Sequence, residues 1–249
     1  MVWIALIALV ALVALMSLLA AARRRTETTS ATFEPAGHCV LIVEVDAGDV
    51  HLTGGATTAV QVRRSTSYTI RRPGVTEEST PEQIVLRAHT HPWIFGYGRV
   101  DYEVVVPLGA DTTVRSRDGV VHLTGLDGRV DVEAGAGLVL AERVSGALRL
   151  LSKSGDLIGR ELSSRHIEAH TDGGAIELDL VCEPEHLNVT SGAESVEVTL
   201  PPGTGPYSVD ARSSAGTTHV GVDQDDAAER VLRLRSRSGS ITVLPRPAS

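Results

Sequence analysis

Cysteine is almost missing from this chain of 249 residues, which contains only Cys39 and Cys182. Two thiols are too few for a disulfide framework, and these two have no metal-binding spacing. The sequence favours two buried small side chains, and a single disulfide between them stays open as the alternative. Cysteine usage therefore leaves the redox compartment of the protein undecided.

Aromatic side chains make up 3% of the residues, and Tyr207 is the only one between Glu103 and Ser249. Because 42% of the residues are hydrophobic, a sizeable core is still expected, built from Val, Leu, Ile and Ala in thin layers. Bulky anchors of the kind that line many ligand pockets are scarce. The cluster around Trp93 and Phe95 has two interpretations, a hydrophobic plug over an open end of the core or a binding surface.

Lysine occurs once, at Lys153, and the formal net charge is −8. Arg23–Arg25 stand beside an apolar segment that has no acidic residue, so the rest of the chain is more acidic than the whole. Nucleic-acid binding depends on clustered Lys and Arg that contact phosphates, which an acidic repetitive chain does not offer. We therefore expect no nucleic-acid partner.

One long hydrophobic run extends from Val2 to Ala22, with Ser17 as its only polar side chain. A helix of that length reaches about 30 Å, enough to cross a bilayer core. No cationic region precedes the run, so an uncleaved transmembrane helix in the membrane is favoured over a signal peptide. Arg23–Arg25 follow it, and the positive-inside rule then places the rest of the chain in the cytoplasm, provided that Met1 is the true start.

Three further segments follow the hydrophobic run. Residues 23–37 are polar and rich in Thr and Ser, which predicts a juxtamembrane linker. Residues 38–249 show alternating apolar positions, and we divide them into an irregular cap with the first coils at 38–110 and regular coils at 111–244. No sustained helical period follows residue 25, so the crossover helices of an α/β sheet have no place in this chain.

Glycines recur at every ninth position in the region of regular coils, at Gly119, Gly128, Gly137, Gly146 and Gly155. Each repeat has a short apolar-x-apolar strand, a small-x-x-Gly turn, a second strand and another turn. The full period is therefore about 18 residues, and nine is half of it. This self-similarity predicts an all-β fold, a parallel β-helix or β-solenoid with two strands per coil, in which glycine forms the tight corners.

The apolar-x-apolar segments are the predicted strands of the regular coils. First strands begin at Val130, Leu148, Ile167, Leu187, Tyr207 and Leu232, and second strands are "LVL" at Leu138, "IEL" at Ile176, "VEV" at Val196 and "ITV" at Ile241. Alternation along a strand predicts that Val130 and Val132 point into the core and that Asp131 points to solvent. Equivalent aliphatic side chains then stack along the axis, one coil upon the next.

Nonapeptide periodicity is also typical of calcium-binding β-rolls, which repeat an aspartate in every unit. The third residue after each glycine is instead His122, Asp131, Leu140, Arg149 and Ile158. A row of this composition lacks the oxygen ligands that calcium requires. We therefore expect no calcium site.

The segment "HIEAH" places His166, Glu168 and His170 on one face of a strand, where they are candidate zinc ligands. A spacing of about 6.6 Å along the strand is too wide for one ion, so we predict no metal site. Asn188 opens "NVT", which fits a glycosylation sequon but is a short and common match. The chain has no nucleophile elbow, phosphate loop or dinucleotide fingerprint, and we predict no catalytic residue, no cofactor and no enzyme activity.

The strand–turn "VEVDAGDVHL", the passage "GRVDYEVVVPLGADTTVRSRDG" and the closing "RLRSRSGSITV" together resemble the bacterial putative-adhesin family, a domain family of unknown function. The similarity covers roughly Val40 to Leu244, and its specificity comes from the number and order of the glycine-turn repeats. The resemblance implies a β-solenoid, often tethered behind one transmembrane helix in bacterial envelopes, on the extracytoplasmic side. It implies no catalytic or ligand-binding residues.

The expected function is that of a single-pass membrane protein whose β-solenoid acts as an adhesion or surface-interaction module of the cell envelope. Its partner would be a protein or an envelope polymer. The alternative is a cytoplasmic scaffold whose solenoids associate end to end, as bactofilin-like β-helices do, because open strand edges favour self-association. The resemblance implies the outside of the cell and the positive-inside rule the cytoplasm, so the side of the membrane stays open.

Overall fold

The fold is all-β. The computed structural model describes residues 25–90, 97–203 and 205–247, whose strands form two sheets. The transmembrane helix expected at Val2–Ala22 lies outside these residues, as do Trp93 and Phe95 of the aromatic cluster. Within the described ranges, no helix has the length and apolar character needed to cross a membrane.

The strands are numbered in chain order. Those before the regular repeats are β1 Arg25–Phe33, β2 Val40–Val45, β3 Val50–Gly55, β4 Val60–Tyr68, β5 Gly74–Ser79, β6 Gln83–His89 and β7 Gly98–Pro107. Those of the repeats are β8 Asp111–Asp118, β9 Val121–Thr124, β10 Val130–Ala136, β11 Val139–Glu142, β12 Leu148–Ser152, β13 Leu157–Leu162, β14 His166–Thr171, β15 Ile176–Leu180, β16 His186–Ser191, β17 Val196–Leu200, β18 Ser208–Ser213, β19 Thr218–Val220, β20 Val231–Ser236 and β21 Ile241–Pro245.

Consecutive strands of the repeats alternate between the two sheets. Among the described residues, sheet A has eleven strands in the order β1-β4-β7-β3-β9-β11-β13-β15-β17-β21-β19. Sheet B has ten, in the order β18-β20-β16-β14-β12-β10-β8-β2-β6-β5. The repeat strands pair in parallel, whereas β1, β4 and β5 near the amino-terminal end pair antiparallel with their neighbours. We call two consecutive strands, one in each sheet, a rung.

The pairing register shows the two-strand period that the sequence predicts. Val130 pairs with Leu148, 18 residues later, and Leu148 pairs with Ile167, 19 residues later. Val132 is fully buried, whereas Asp131 between the two inward valines points to the outside. Equivalent aliphatic side chains therefore stack from rung to rung between the two sheets and form one continuous core.

The corner glycines lie in direct contact from one rung to the next. A Cβ placed on Gly137 would be 2.1 Å from the carbonyl oxygen of Gly119, and both residues have positive φ, of 99° and 136°. At the other corner, a Cβ on Gly146 would be 1.8 Å from the carbonyl oxygen of Gly128. The nine-residue spacing thus alternates between two stacks of corners, and at these glycines a side chain would collide with the backbone of the preceding rung.

Buried hydroxyl groups support several of these corners. The hydroxyl of Thr171 accepts a hydrogen bond from the N–H of Gly174 (3.0 Å) and donates one to the carbonyl of Gly155 on the preceding rung (3.1 Å). Ser152 accepts a hydrogen bond from the N–H of Gly155 in the same way (2.8 Å). The small-x-x-Gly turn is therefore a Ser/Thr turn whose hydroxyl satisfies backbone groups that would otherwise be buried without a partner.

The predicted register of one strand is wrong by one residue. The "LVL" pattern predicts inward leucines, but Val139 and Ala141 are the buried pair of β11. β11 pairs with β9 so that Val139 lies beside Val121, and the inward positions of β9 carry over to β11. Leu140 therefore lies on the outer face of sheet A, beside His122.

The segment expected as a linker at 23–37 contributes an edge strand instead. β1 pairs antiparallel with β4 from Arg25 opposite Tyr68 to Phe33 opposite Val60, and it forms one edge of sheet A. Threonine is β-branched and suits a pleated, half-exposed surface, so a Thr-rich polar segment forms a strand once a sheet edge is available. Phe33 packs against the core at the end of this strand.

A buried polar cluster lies at the amino-terminal end of the core. Arg64 of β4, 9% exposed, forms an ion pair with Glu77 of β5, so the pair connects the two sheets. Tyr102 of β7 is fully buried beside them, and its hydroxyl has no hydrogen-bond partner among the described residues. Burial raises the pKa of Tyr102 to about 12, and the Glu77 carboxylate acts in the same direction.

The rungs at both ends are stacked out of chain order. At the carboxyl end, β20–β21 lies between β16–β17 and β18–β19, so stacking in chain order stops at β17. At the other end, β2–β3 lies between β6–β7 and β8–β9. Leu232 and Leu234 of β20 are fully buried, whereas Val209 and Ala211 of β18 are partly exposed. The rung with the larger apolar side chains thus takes the inner position.

Candidate interaction surfaces

The candidate ligands of "HIEAH" lie where their alternation predicts. His166, Glu168 and His170 all point to the outer face of β14. His170 lies 3.2 Å from Asp172 and His166 lies 3.6 Å from Glu185, so each histidine is next to its own carboxylate. In the ranges that the structure describes, no three His, Cys, Asp or Glu side chains are grouped so that they could hold a metal ion.

The nine-residue row that invited comparison with calcium sites is divided between the two sheets. His122, Leu140 and Ile158 belong to sheet A, whereas Asp131 and Arg149 belong to sheet B. Residues nine apart therefore never become neighbours, and only those one full period apart pair across strands.

The two cysteines are free thiols. Cys39 is 2% exposed and Cys182 is half-buried. Burial raises the pKa of both thiols, which disfavours the reactive thiolate. The disulfide that the sequence left open is not formed, and the interpretation of a buried small side chain holds for Cys39.

An alternating row of carboxylates and guanidiniums crosses the outer face of sheet B. We call it the charged strip, and it consists of Glu78, Arg87, Glu44, Arg115, Glu133, Arg149 and Glu168, one on each of β5, β6, β2, β8, β10, β12 and β14. Each member forms an ion pair with the next, so the strip runs without interruption across seven adjacent strands.

Glu44 is the third member of the charged strip and lies between Arg87 and Arg115. Its carboxylate accepts hydrogen bonds from Nε of Arg87 (2.8 Å) and from Nη1 of Arg115 (3.0 Å). The bond from Arg87, together with that from Arg115, lowers the pKa of Glu44 below its ordinary value. Arg115 in turn pairs with Glu133, at 3.3 Å. Because positive and negative groups neutralise one another along the row, the strip is a mixed-charge surface without a field of one sign.

A groove opens on sheet B next to the end of the charged strip. His166 and His186 occupy the same position on successive rungs, with ring centroids 5.3 Å apart. Ala147, one rung before His166, leaves space for an open groove of about 440 Å³. Its walls include Arg129, Arg149, Glu168 and Asn188. The histidine pair was not predicted, because its members are 20 residues apart in sequence, although their equivalent positions in successive repeats were a usable signal.

A second groove, of about 590 Å³, lies on the outer face of sheet A near the amino-terminal end. Its lining includes Ser30, Thr32, His51, Thr53, Gln61 and Arg63. The ring of His51 lies 5.6 Å from that of His122, whose Nε2 is 3.2 Å from a carboxylate oxygen of Glu142. The lining also includes Ala31, Val62, Val104 and Val105. The hydroxyl, amide and imidazole groups of the groove therefore lie beside apolar side chains.

These surfaces suit a partner that spreads over many weak contacts. Both grooves are open, and both lie on long sheet faces with polar side chains of either charge. Deep sites for small molecules bury most of their ligand and are lined mainly by apolar and aromatic side chains. Neither groove has the enclosed, aromatic-lined form of such a site.

The comparisons with known proteins give one kind of match. No family model matches the sequence, and no curated protein matches it. Among solved structures, the chain is similar to a putative cell adhesion protein from Clostridium sporogenes, with 12% identity, a TM-score of 0.42 and coverage of 89% of this chain and 100% of the other. It is similar to putative adhesins from Bacteroides fragilis (11% identity, TM-score 0.34) and Parabacteroides distasonis (10%, 0.27), each covering 88% of this chain and 97% of the other. The resemblance to bacterial putative adhesins that the glycine repeats indicated is therefore found among solved structures as well.

Proposed function

We propose that this protein is a membrane-anchored β-solenoid of the cell envelope with a non-enzymatic, adhesin-like role in surface interaction. The observation that carries the proposal is the position of β1. This strand forms the extreme edge of sheet A, and it begins at Arg25, the last residue of the basic cluster that follows the apolar segment Val2–Ala22. A membrane anchor in that segment is joined to the stack of strands at one end. Both sheet faces and the opposite end are then free for a partner.

The dimensions support a display role. Sheet A has eleven strands including its two edges, so at about 4.8 Å between neighbouring strands the far edge lies roughly 48 Å from β1. The charged strip and both grooves lie on the sides of this stack. A partner can therefore approach them without contact with the membrane.

The test is the accessibility of a cysteine at the end opposite β1. Ser214 is exposed, and Ser214→Cys in a Cys182→Ser background adds one accessible thiol to the buried Cys39. In intact cells, a membrane-impermeant maleimide should label this variant as strongly as in lysed cells. The Cys182→Ser protein alone is the control, and it should react only after denaturation because Cys39 is 2% exposed. Labelling of Ser214→Cys that requires lysis would overturn display at the surface.

A cytoplasmic scaffold is the second candidate, and the free sheet edges favour it. In the described residues, sheet A ends at β1 and β19 and sheet B at β5 and β18. Unpaired edges are templates for pairing with another copy. Filaments of the full chain in electron micrographs, together with labelling only after lysis, would support this scaffold and exclude the display role.

A further inference from the structure

The rung farthest from β1 leaves the end of the core partly open. β18 and β19 are the last strands of their sheets, and Val209, Ala211, Val220 and Val222 at this end are only partly buried. The side chains that pair with Val209, Ala211 and Val220 on the preceding rung are fully buried; they are Leu232, Leu234 and Val243. An apolar surface is therefore accessible at this end, beside two strand edges with which no other strand of the described residues pairs.

The backbone of β18 has a free side. The N–H of Ser208 donates to the carbonyl of Arg230 (2.9 Å), and the N–H of Ser214 donates to the carbonyl of Ser236 (3.0 Å). In a parallel ladder, alternate residues face opposite neighbours, so the N–H and C=O of Ala211 point away from β20. No strand of the described residues pairs with this side of β18, so it can accept another strand beyond the bridge that Tyr207 forms with Gln224.

The loop beside this free side is acidic. Between β19 and β20, the exposed side chains of Asp223, Asp225, Asp226 and Glu229 follow one another with no basic residue among them. The N–H of Asp225 donates to the carbonyl of Tyr207 (3.0 Å), directly before β18, so the loop is held next to the β18 edge. Pairing of two copies through this end would bring two such loops together, which like charges disfavour.

We propose that the β18 edge binds an extended, Lys- or Arg-containing segment of another protein, which adds as a further strand of sheet B. The free backbone groups of β18 supply the hydrogen bonds. Apolar side chains of the segment cover Val209 and Ala211, and its basic side chains face the acidic loop at 223–229. The inference rests on the proposed surface-interaction role, because it names a class of partner for the end of the stack opposite the anchor.

The experiment measures peptide binding to the full chain in a neutral detergent by fluorescence anisotropy. The probe is a labelled peptide of alternating lysine and valine, and the control peptide has glutamate in place of lysine. At about 0.05 M salt, we expect the lysine peptide to bind at least about tenfold more tightly than the glutamate peptide. A few partly exposed charge pairs with the acidic loop provide a difference of this size. Equal binding of the two peptides, or none, overturns the proposal.

Two variants locate the site. Ala211→Pro removes the N–H on the free side of β18, where proline is compatible with an edge strand, and it should weaken binding about tenfold. Ala211→Ser keeps that N–H and should bind like the natural protein. The double change Asp225→Asn and Asp226→Asn should weaken binding and reduce its salt dependence. Binding that none of these changes alters would overturn the β18 assignment. These measurements use purified protein, so their failure leaves the cysteine-labelling result, and with it the display role, unaffected.

Discussion

A Cβ on Gly174 would lie 2.1 Å from the carbonyl oxygen of Gly155 on the preceding rung, whereas the nearest atom to a Cβ on the adjacent Gly173 is 3.6 Å away. The two glycines are neighbours in "TDGG", yet only Gly174 occupies the stacked corner. The pair thus separates the effect of rung-to-rung contact from the general effect of glycine in a turn.

Replacement of the stacked glycine should therefore destabilise the protein, and replacement of its neighbour should not. Gly174→Ala forces a methyl group onto backbone that cannot move without disturbing the rung before it, and we expect a loss of about 2 kcal/mol or more. Gly173→Ala should change the free energy of unfolding by less than about 1 kcal/mol. Denaturant unfolding of both variants checks this, and equal losses would contradict the corner stacking.

Substitution of the buried valine of β10 should cost much more stability than substitution of its outward aspartate. Val132 is fully buried, so Val132→Asp places a charge in an aliphatic core and should prevent stable folding. The side chain of Asp131 lies on the outer face, 3.3 Å from Arg149. Asp131→Ser removes only this surface pair, at a cost of about 0.5 kcal/mol. Thermal unfolding of the two variants tests the register, which similar melting temperatures would rule out.

Glu44 should make stability depend on acidity. Its pKa in the folded protein lies below the ordinary value of 4.5, so its stabilising effect is complete above about pH 4.5 and is lost as the pH falls through the folded pKa. Glu44→Gln should lower stability at neutral pH by roughly 1 kcal/mol or less, and its loss of stability on acidification should be smaller. Chemical denaturation at several pH values between about 7 and about 3 measures both effects.

The control for Glu44 is a carboxylate without these partners. Glu197 points outward from β17 in sheet A, and no ion pair to it occurs in the described ranges. Glu197→Gln should leave the acid dependence of stability unchanged. An equal change in both variants would mean that the guanidiniums beside Glu44 are not the cause.

Tyr102 should make the stability of the fold depend on pH in the alkaline range. Because its pKa is raised to about 12, its protonated form stabilises the fold fully below about pH 10, and this contribution is lost as the pH rises toward the folded pKa. Tyr102→Phe removes a hydroxyl with no hydrogen-bond partner among the described residues, so stability at pH 7 should change little. At about pH 11 the variant should be more stable than the natural protein by about 1 kcal/mol.

Tyr68→Phe serves as the comparison for Tyr102. The Tyr68 hydroxyl donates to Glu27 at 2.8 Å and is not enclosed in the core. The Tyr68→Phe variant should therefore lose stability at alkaline pH as the natural protein does. Thermal melts of both variants at neutral and alkaline pH decide the matter, and the burial argument fails if Tyr102→Phe melts like the natural protein at high pH.

The period of the fold was predictable because its cause is local. From Gly119 to Gly155 each corner brings two backbones into contact, which glycine permits, so these corners are visible in the sequence; the corner of β16–β17 has Glu194 in the same position. The inward positions followed wherever one clear alternation was present, as at Val130 and Val132. In "LVL" three apolar residues stand in a row, and only pairing with β9 decides that Val139 points inward.

The stacking order of the last rungs was not predictable from such local patterns. β18 and β20 have the same alternation and the same Ser-x-x-Gly turn, at Ser213 and Ser236, so either could follow β16. Packing of large side chains against the core decides the order, with Leu232 and Leu234 inside. The charged strip and the stacked histidines likewise depend on which rungs become neighbours. Sequence spacing alone therefore located no surface site.

The insertion of β20–β21 between two earlier rungs has a consequence for synthesis of the chain. When β18–β19 leaves the ribosome, the edge of β16–β17 is still open, and the segment that belongs there has not yet been made. β18 can pair in that place with a matching Ser-x-x-Gly corner, and it must then detach before Val231–Pro245 enters. Completion of the fold thus waits until residues 231–245 have been translated. A protein truncated before Val231 is expected to close in a different arrangement from the natural one.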